Sequence, residues 1–218
     1  MKNVLIMGAT GMIGRECLKY CLENPDIVKI TVIVRKPIGF KHSKLTEIVH
    51  HDFYDFSGVA ECLKNQDVCL YCIGVYTGQV SKEEFSKITV DMTKAFAVAL
   101  KEQSPQAAFC FLSGGGADEK EKSPILFARE KGKAENILKG LNFSRLHIFR
   151  PGYIYPVTPR KEPNFSYKLM RWLYKPFISK LGNKFSVPSV QLAKAMVKVG
   201  LSGAEEIILE NQDIVKIN

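Results

Sequence analysis

The 218-residue chain is predicted to fold as a doubly wound α/β domain around a parallel sheet, on three observations. Short β-branched runs alternate with longer amphipathic ones along the chain. Several of the short runs are apolar at every position, as parallel strands covered by helices on both faces must be. A turn with glycines at Gly8, Gly11 and Gly14 joins the first short run to the first long one.

The elements follow in order. Val4-Leu5-Ile6-Met7 anchors a strand from Asn3 to Met7, and the glycine turn leads into a helix from Met12 to Glu23. Further strands are expected at Ile30 to Val34, Glu47 to His50, Asp67 to Cys72, Ala107 to Leu112 and Arg145 to Phe149. Helices are expected at Ser57 to Asn65, Lys82 to Gln103, Ile125 to Leu138 and Val190 to Leu201, the long third run carrying apolar residues at helical spacing. Right-handed crossovers then build a sheet with its ligand crevice at the carboxyl ends of the strands. Two late apolar runs, Glu206 to Leu209 and Ile214 to Ile217, are read as edge strands.

With 46% hydrophobic residues the chain can bury a sizeable core, and its length fits one domain, 1–218. No apolar run approaches the roughly 18 to 20 residues that cross a bilayer. Val4 to Ile13 is too broken by glycine for a signal-peptide core and is read as mature strand and turn. Six cysteines sit among apolar neighbours without a metal-ligand spacing, which fits core filling in a reducing compartment and points to the cytoplasm. His50 and His51 are adjacent and point to opposite faces of a strand, so they cannot share a metal, and His147 reads as a satisfied core histidine. No metal site is expected.

The net charge of +9 is concentrated late: Arg160, Lys161, Lys168, Arg171, Lys175, Lys180 and Lys184 are opposed only by Glu162. This basic aromatic segment, 160–184, falls within 153–188, read as a lid on the substrate side; contact with nucleic acid or an anionic membrane is its alternative use.

The glycine turn carries the chemistry. Gly8 allows the tight turn after the strand, Gly11 lets backbone approach a pyrophosphate, and Gly14 lets helix and strand pack closely. The start of the helix then offers unpaired N–H groups and a partial positive charge to phosphates. This is a Rossmann-type dinucleotide site. An NAD-preferring site places an acid at the end of the second strand; here that strand ends Val34-Arg35-Lys36, two cations suited to the 2′-phosphate of NADP(H), with NAD(H) the lesser candidate.

Gly8 to Gly14, Cys72-Ile73-Gly74, Leu112-Ser113 and Arg150-Pro151-Gly152 together resemble the extended and atypical short-chain dehydrogenase/reductases. Ser113-x-x-Gly116-Ala117-Asp118, Lys131-Gly132-Lys133-Ala134-Glu135 and Ser186-Val187-Pro188 resemble the Tat-interacting-protein oxidoreductase-like branch. The resemblance runs from about Asn3 to about Val199. It implies cofactor contacts at Gly8, Thr10, Gly11, Met12, Ile13, Gly14, Arg35, Lys36, Asp52, Phe53, Cys72, Ile73, Gly74, Lys131 and Pro151. It also implies a serine that orients a carbonyl, matched by Ser113, and a tyrosine acid four residues before a lysine. Lys131 matches the lysine, but the tyrosine position is Phe127, which has no ionisable proton. Asp91 falls where such proteins carry a supporting asparagine, and Tyr76, Tyr153 and Tyr155 are candidate substitute acids near the crevice. The expected function is reduction of a small carbonyl, or oxidation of the alcohol, with NADP(H), slowed by Phe127. The alternative is a non-catalytic NADP(H)-binding regulator that acts through a protein partner.

Overall fold

The computed structural model describes residues 1–158 and 185–217. Its centre is a seven-stranded sheet in the order β3-β2-β1-β4-β5-β6-β9, with every pairing parallel. The strands are β1 (Lys2–Met7), β2 (Ile27–Val34), β3 (Leu45–Val49), β4 (Val68–Tyr71), β5 (Ala108–Leu112), β6 (Arg145–Arg150) and β9 (Ile208–Glu210). The order reverses between β1 and β4, and such a switch point opens a crevice at the carboxyl ends of the strands.

Helices cover both faces. The α1 helix (Met12–Glu23) and the α5 helix (Ser189–Ser202) pack on one side, where Ile6, Cys17, Leu192 and Met196 meet in one core. On the other lie α3 (Met92–Gln103) and α4 (Leu126–Gly140), which close over Leu5, Tyr71, Phe96 and Phe109. The apolar runs of β1 and β4 are buried on both faces, which is why those strands lack alternation in the sequence. A separate parallel pair, β7 (Tyr153–Tyr155) and β8 (Ser186–Pro188), flanks residues 159–184. Apart from these margins, the expected lid and basic segment lie outside the described residues.

Three elements differ from the sequence reading. Ser57–Leu63 is a 3-10 turn rather than an α-helix, broken at Val59, whose φ is −129°. The long third helix is one rod in three parts, α2 (Lys82–Ser86), a π turn (Lys87–Asp91) and α3. Its buried residues Phe85, Thr89 and Thr93 are four apart, wider than the 3.6-residue period, and the π turn absorbs the excess so that all three stay inward. Of the run Ile214 to Ile217, the first three residues close a helix, α6 (Asn211–Lys216), and Ile217 follows it, so the run is not an edge strand. Glu210 and Asp213 cap its start reciprocally, satisfying donors a strand would have left for pairing. Glu206 to Leu209 does contribute the edge strand β9, which is shorter and begins at Ile208.

His147 is buried in β6, with Nδ1 3.4 Å from the Glu206 carbonyl. Its Nε2 has no partner among the described residues, and burial pushes its pKa down. It is therefore a core histidine satisfied on one side only.

Candidate functional site

The glycine turn has the geometry its spacing requires. Gly8 adopts φ +80°, a left-handed conformation that a side chain resists, and its carbonyl accepts from the Gly11 N–H at 2.9 Å. A methyl built on Gly14 would lie 2.1 Å from the Gly8 carbonyl oxygen, so α1 can reach β1 only with glycine there. No side chain caps the start of α1, and no acid sits in its first turn. Its first N–H groups are thus left for an anion.

Those groups open into a cavity of about 730 Å3. Its floor is formed by Thr10, Gly11, Met12 and Ile13 at the start of α1, by Cys72, Ile73 and Gly74 after β4, by Ser113 after β5 and by Pro151 after β6. Phe127 and Lys131 close it from α4, and Tyr76 and Tyr153 also line it. Most residues proposed from the sequence are thereby brought to one cleft.

The others lie elsewhere. Gly8 and Gly14 shape the turn from beneath. Arg35 and Lys36 are exposed beyond the end of β2, outside the cavity lining. Neither has a hydrogen bond or ion pair among the described residues. Asp52, exposed after β3, accepts from the Tyr54 N–H at 2.8 Å, a turn cap, and Phe53 is buried in the core. Tyr155 lies outside the cavity lining. Asp91 lines a different groove, between the 3-10 turn and α3, with Tyr54 and Lys94; the supporting role expected of it in the cleft has no geometric basis.

On the wall formed by β5 and α4, the Ser113 hydroxyl donates to Glu135 Oε1 at 2.5 Å. Glu135 is fully buried. Arg150 holds both of its oxygens, Nε reaching Oε1 at 3.1 Å and Nη2 reaching Oε2. The same guanidinium contacts Glu119 at 2.9 Å and Glu210 at 3.2 Å, and the hydrogen bonds it donates to the Glu135 carboxylate are foremost in raising its pKa. Glu135 and Arg150 were missed as site residues because Glu135, among Lys133 and Asn136, reads as a surface charge of α4, and Arg150 as the end of an apolar strand. The available signal was a carboxylate four residues beyond Lys131, hence on the same helix face.

Lys131 is 7% exposed. Its ammonium donates to the Leu112 carbonyl at 3.0 Å and stands 4.9 Å over the Phe111 ring. Burial lowers its pKa to about 8, opposed by the negative charge of Glu135. Phe127, one turn earlier, lays its ring against the backbone of Gly114, where an added methyl would meet its Cζ at 2.4 Å. Gly132 lets α4 rest on the Asp118 carbonyl, which a methyl there would approach to 1.8 Å. This fixes the loop after Ser113 against the helix that bears Lys131. Among the described residues, no three His, Cys, Asp or Glu side chains are grouped to hold a metal.

A parallel sheet with a switch-point cleft, a glycine turn and an uncapped helix start defines a Rossmann-type dinucleotide-binding protein. The chain belongs to the NAD(P)H-binding family, whose model matches residues 8–199. It falls on the atypical, short-chain dehydrogenase/reductase-like branch. Protein HTATIP2 of Rattus norvegicus is 27% identical over 99% of this chain and 89% of its own length. Protein FMP52, mitochondrial, of Candida albicans is 30% identical over 73% of this chain and 69% of its own. Among solved structures, Gre2 from Candida albicans in complex with NADPH superposes with a TM-score of 0.72 at 16% identity, covering 96% of this chain and 78% of that one. WbmH of Bordetella bronchiseptica in complex with NAD+ gives 0.70 at 17%, covering 96% and 75%. At those identities the likeness shows the fold.

Proposed function

We propose that the protein is an NADP(H)-dependent oxidoreductase acting on a small carbonyl compound or the corresponding alcohol. The observation that carries this reading is that one cleft joins the uncapped start of α1 to Ser113 and Lys131, so a dinucleotide bound along the glycine turn would end beside both. The first N–H groups of α1 would hold the pyrophosphate. Arg35 and Lys36 would hold a 2′-phosphate, and Asp52 and Phe53 would flank the adenine. Cys72, Ile73, Gly74, Lys131 and Pro151 would bound the nicotinamide half. The reduced cofactor, when bound, supplies a hydride. The chain's part is to orient the oxygen, exclude water and supply a proton. The test is a broad carbonyl and alcohol screen followed by NADPH absorbance, with mass analysis of any nucleotide released on denaturation. Turnover with NADPH supports the reading, and inertness with every substrate in both directions counts against it.

A second reading is a non-catalytic NADP(H)-binding regulator acting through a protein partner. It draws on one observation: the Ser113 proton is directed to Glu135 and Phe127 has none to give. Recovery of a partner whose binding depends on NADPH would favour it.

All six cysteines are free, which supports a reducing compartment, and we place the protein in the cytoplasm. The mitochondrial names of the fungal relatives make cell fractionation the decisive measurement. No helix among the described residues is long and apolar enough to cross a membrane. Segment 160–184 lies outside the described residues; from its charge alone, any binding to anionic vesicles or DNA should be weak and abolished by salt, because such cations act through screened attraction.

A further inference from the structure

We propose that Lys131 is the acid of the cleft, its ammonium handing the substrate oxygen the proton that a phenol would otherwise give. This rests on the oxidoreductase reading above and goes beyond it by naming the proton donor.

Phe127 offers no proton. The Ser113 hydroxyl points at Glu135, whose two oxygens are both held by Arg150, so Ser113 turns lone pairs, not a proton, toward the cleft. Lys131 lines the same cavity, and Leu112, which accepts from it, directly precedes Ser113. That bond uses one of three ammonium N–H groups and is the sole hydrogen bond of Lys131 among the described residues. The Phe111 ring below it stabilises the cation without accepting the proton. The groups around Lys131 are Glu135 on its own helix, Cys72 at the end of β4, Ser113 after β5 and, through Glu135, Arg150 of β6. Desolvation outweighs the attraction of Glu135 and Cys72 and draws the lysine down to about 8, where ammonium and amine interconvert near neutral pH. In the step itself the carbonyl carbon gains a hydride from the reduced cofactor, the C=O π bond breaks, and the oxygen takes a proton from Lys131. The products are an alcohol, oxidised cofactor and a neutral amine, which regains its proton from solvent.

Three measurements decide the matter. In the cofactor-free protein, pH-dependent acetylation by acetic anhydride, read by peptide mass spectrometry, should titrate Lys131 near pH 8, well below the range of an ordinary lysine side chain. In carbonyl reduction with NADPH, kcat should fall above about pH 8 as the ammonium is lost. Lys131→Met should remove that limb and lower kcat by about 10²-fold or more, and Lys131→Arg should move the limb to much higher pH. Circular dichroism and NADPH titration establish that the variants fold. Tyr76→Phe and Tyr153→Phe should keep the limb, and its loss in either would transfer the role to that tyrosine and overturn the proposal. An unchanged limb in Lys131→Met, or a Lys131 that titrates with the exposed lysines, also overturns it while the oxidoreductase reading stands. An inert natural protein with an active Phe127→Tyr variant has the same meaning. If both forms bind NADPH and neither reduces anything, the oxidoreductase reading falls and takes the proposal with it.

Discussion

The Ser113 hydroxyl, at the end of β5, donates to the fully buried carboxylate of Glu135 on α4 at 2.5 Å, and Arg150 of β6 holds that carboxylate from the other side. The charge of Glu135 is tolerable in the core only because it is paired and hydrogen-bonded. Arg150→Met should therefore destabilise the fold by about 3 to 5 kcal/mol, the usual cost of leaving one half of a buried pair alone. Glu135→Gln added to that variant should recover part of the loss, since a neutral amide needs no counter-charge. Urea denaturation of the two single variants and the double variant checks the coupling, and strictly additive changes would contradict it.

The proposed preference for NADP(H) rests on Arg35 and Lys36, which lie exposed beyond β2 without a hydrogen bond or ion pair among the described residues. NADPH should bind more tightly than NADH. Arg35→Ala should remove most of the difference, at a cost of about 1.5 to 3 kcal/mol for a charge-assisted contact. Equal affinities for the two cofactors in the natural protein would remove the basis for NADP(H).

Alkaline stability should be set by the core thiols. Burial chiefly raises Cys69, Cys110 and Cys21, the last to about 12, and the Cys72 thiol followed by burial raises Cys17, all from an ordinary 9.0. In the unfolded chain these groups lose their protons first. The native state then binds more protons between about pH 9 and 12, and stability falls as pH rises through that window. Lys131 acts in the opposite sense, its folded value of about 8 lying below the ordinary 10.5, but it is one amine against four thiols. Thermal melts should show a clear drop in midpoint from pH 8.5 to 10.5, shallower in Cys21→Ala.

Much of the fold was legible because each signal was local. The uniform apolarity of Val4 to Met7, the spacing of Gly8, Gly11 and Gly14, and the helical periodicity after Met12 each act within one element, and α1 matches the expected Met12 to Glu23. What escaped depended on partners distant in sequence. Glu135 looks like a surface residue until Ser113 and Arg150, 22 and 15 residues away, are brought to it. Ile214 to Ile217 reads as a strand by composition, and only the cap formed by Glu210 and Asp213 turns it into a helix. The π turn at Lys87–Asp91 follows from the four-residue spacing of Phe85, Thr89 and Thr93, a departure from helical period visible in the sequence only once their burial is known.

The sharpest test of the cleft is Phe127→Tyr. Phe127 sits one helical turn before Lys131 on α4, with its ring tip against Gly114, so a hydroxyl added at Cζ would enter the cavity wall that also carries Ser113. A general acid contributes typically 10² to 10⁴ in rate, and Lys131, attached through a flexible stem, recovers only part of that. Carbonyl reduction by Phe127→Tyr should therefore exceed that of the natural protein by at least tenfold. NADPH affinity should be nearly unchanged, because the new oxygen lies on the substrate side of the glycine turn. A phenol ordinarily keeps its proton to about pH 10, and Lys131, largely neutral above about pH 8, draws it down little there, so the variant's rate should stay high above pH 8, where the natural protein is expected to fall off. Steady-state kinetics across pH 6 to 10, with NADPH titration alongside, measure all three quantities. A variant no faster than the natural protein would mean that the Phe127 ring tip does not face the reacting oxygen, and the acid's position would then have to be sought on another wall of the cleft.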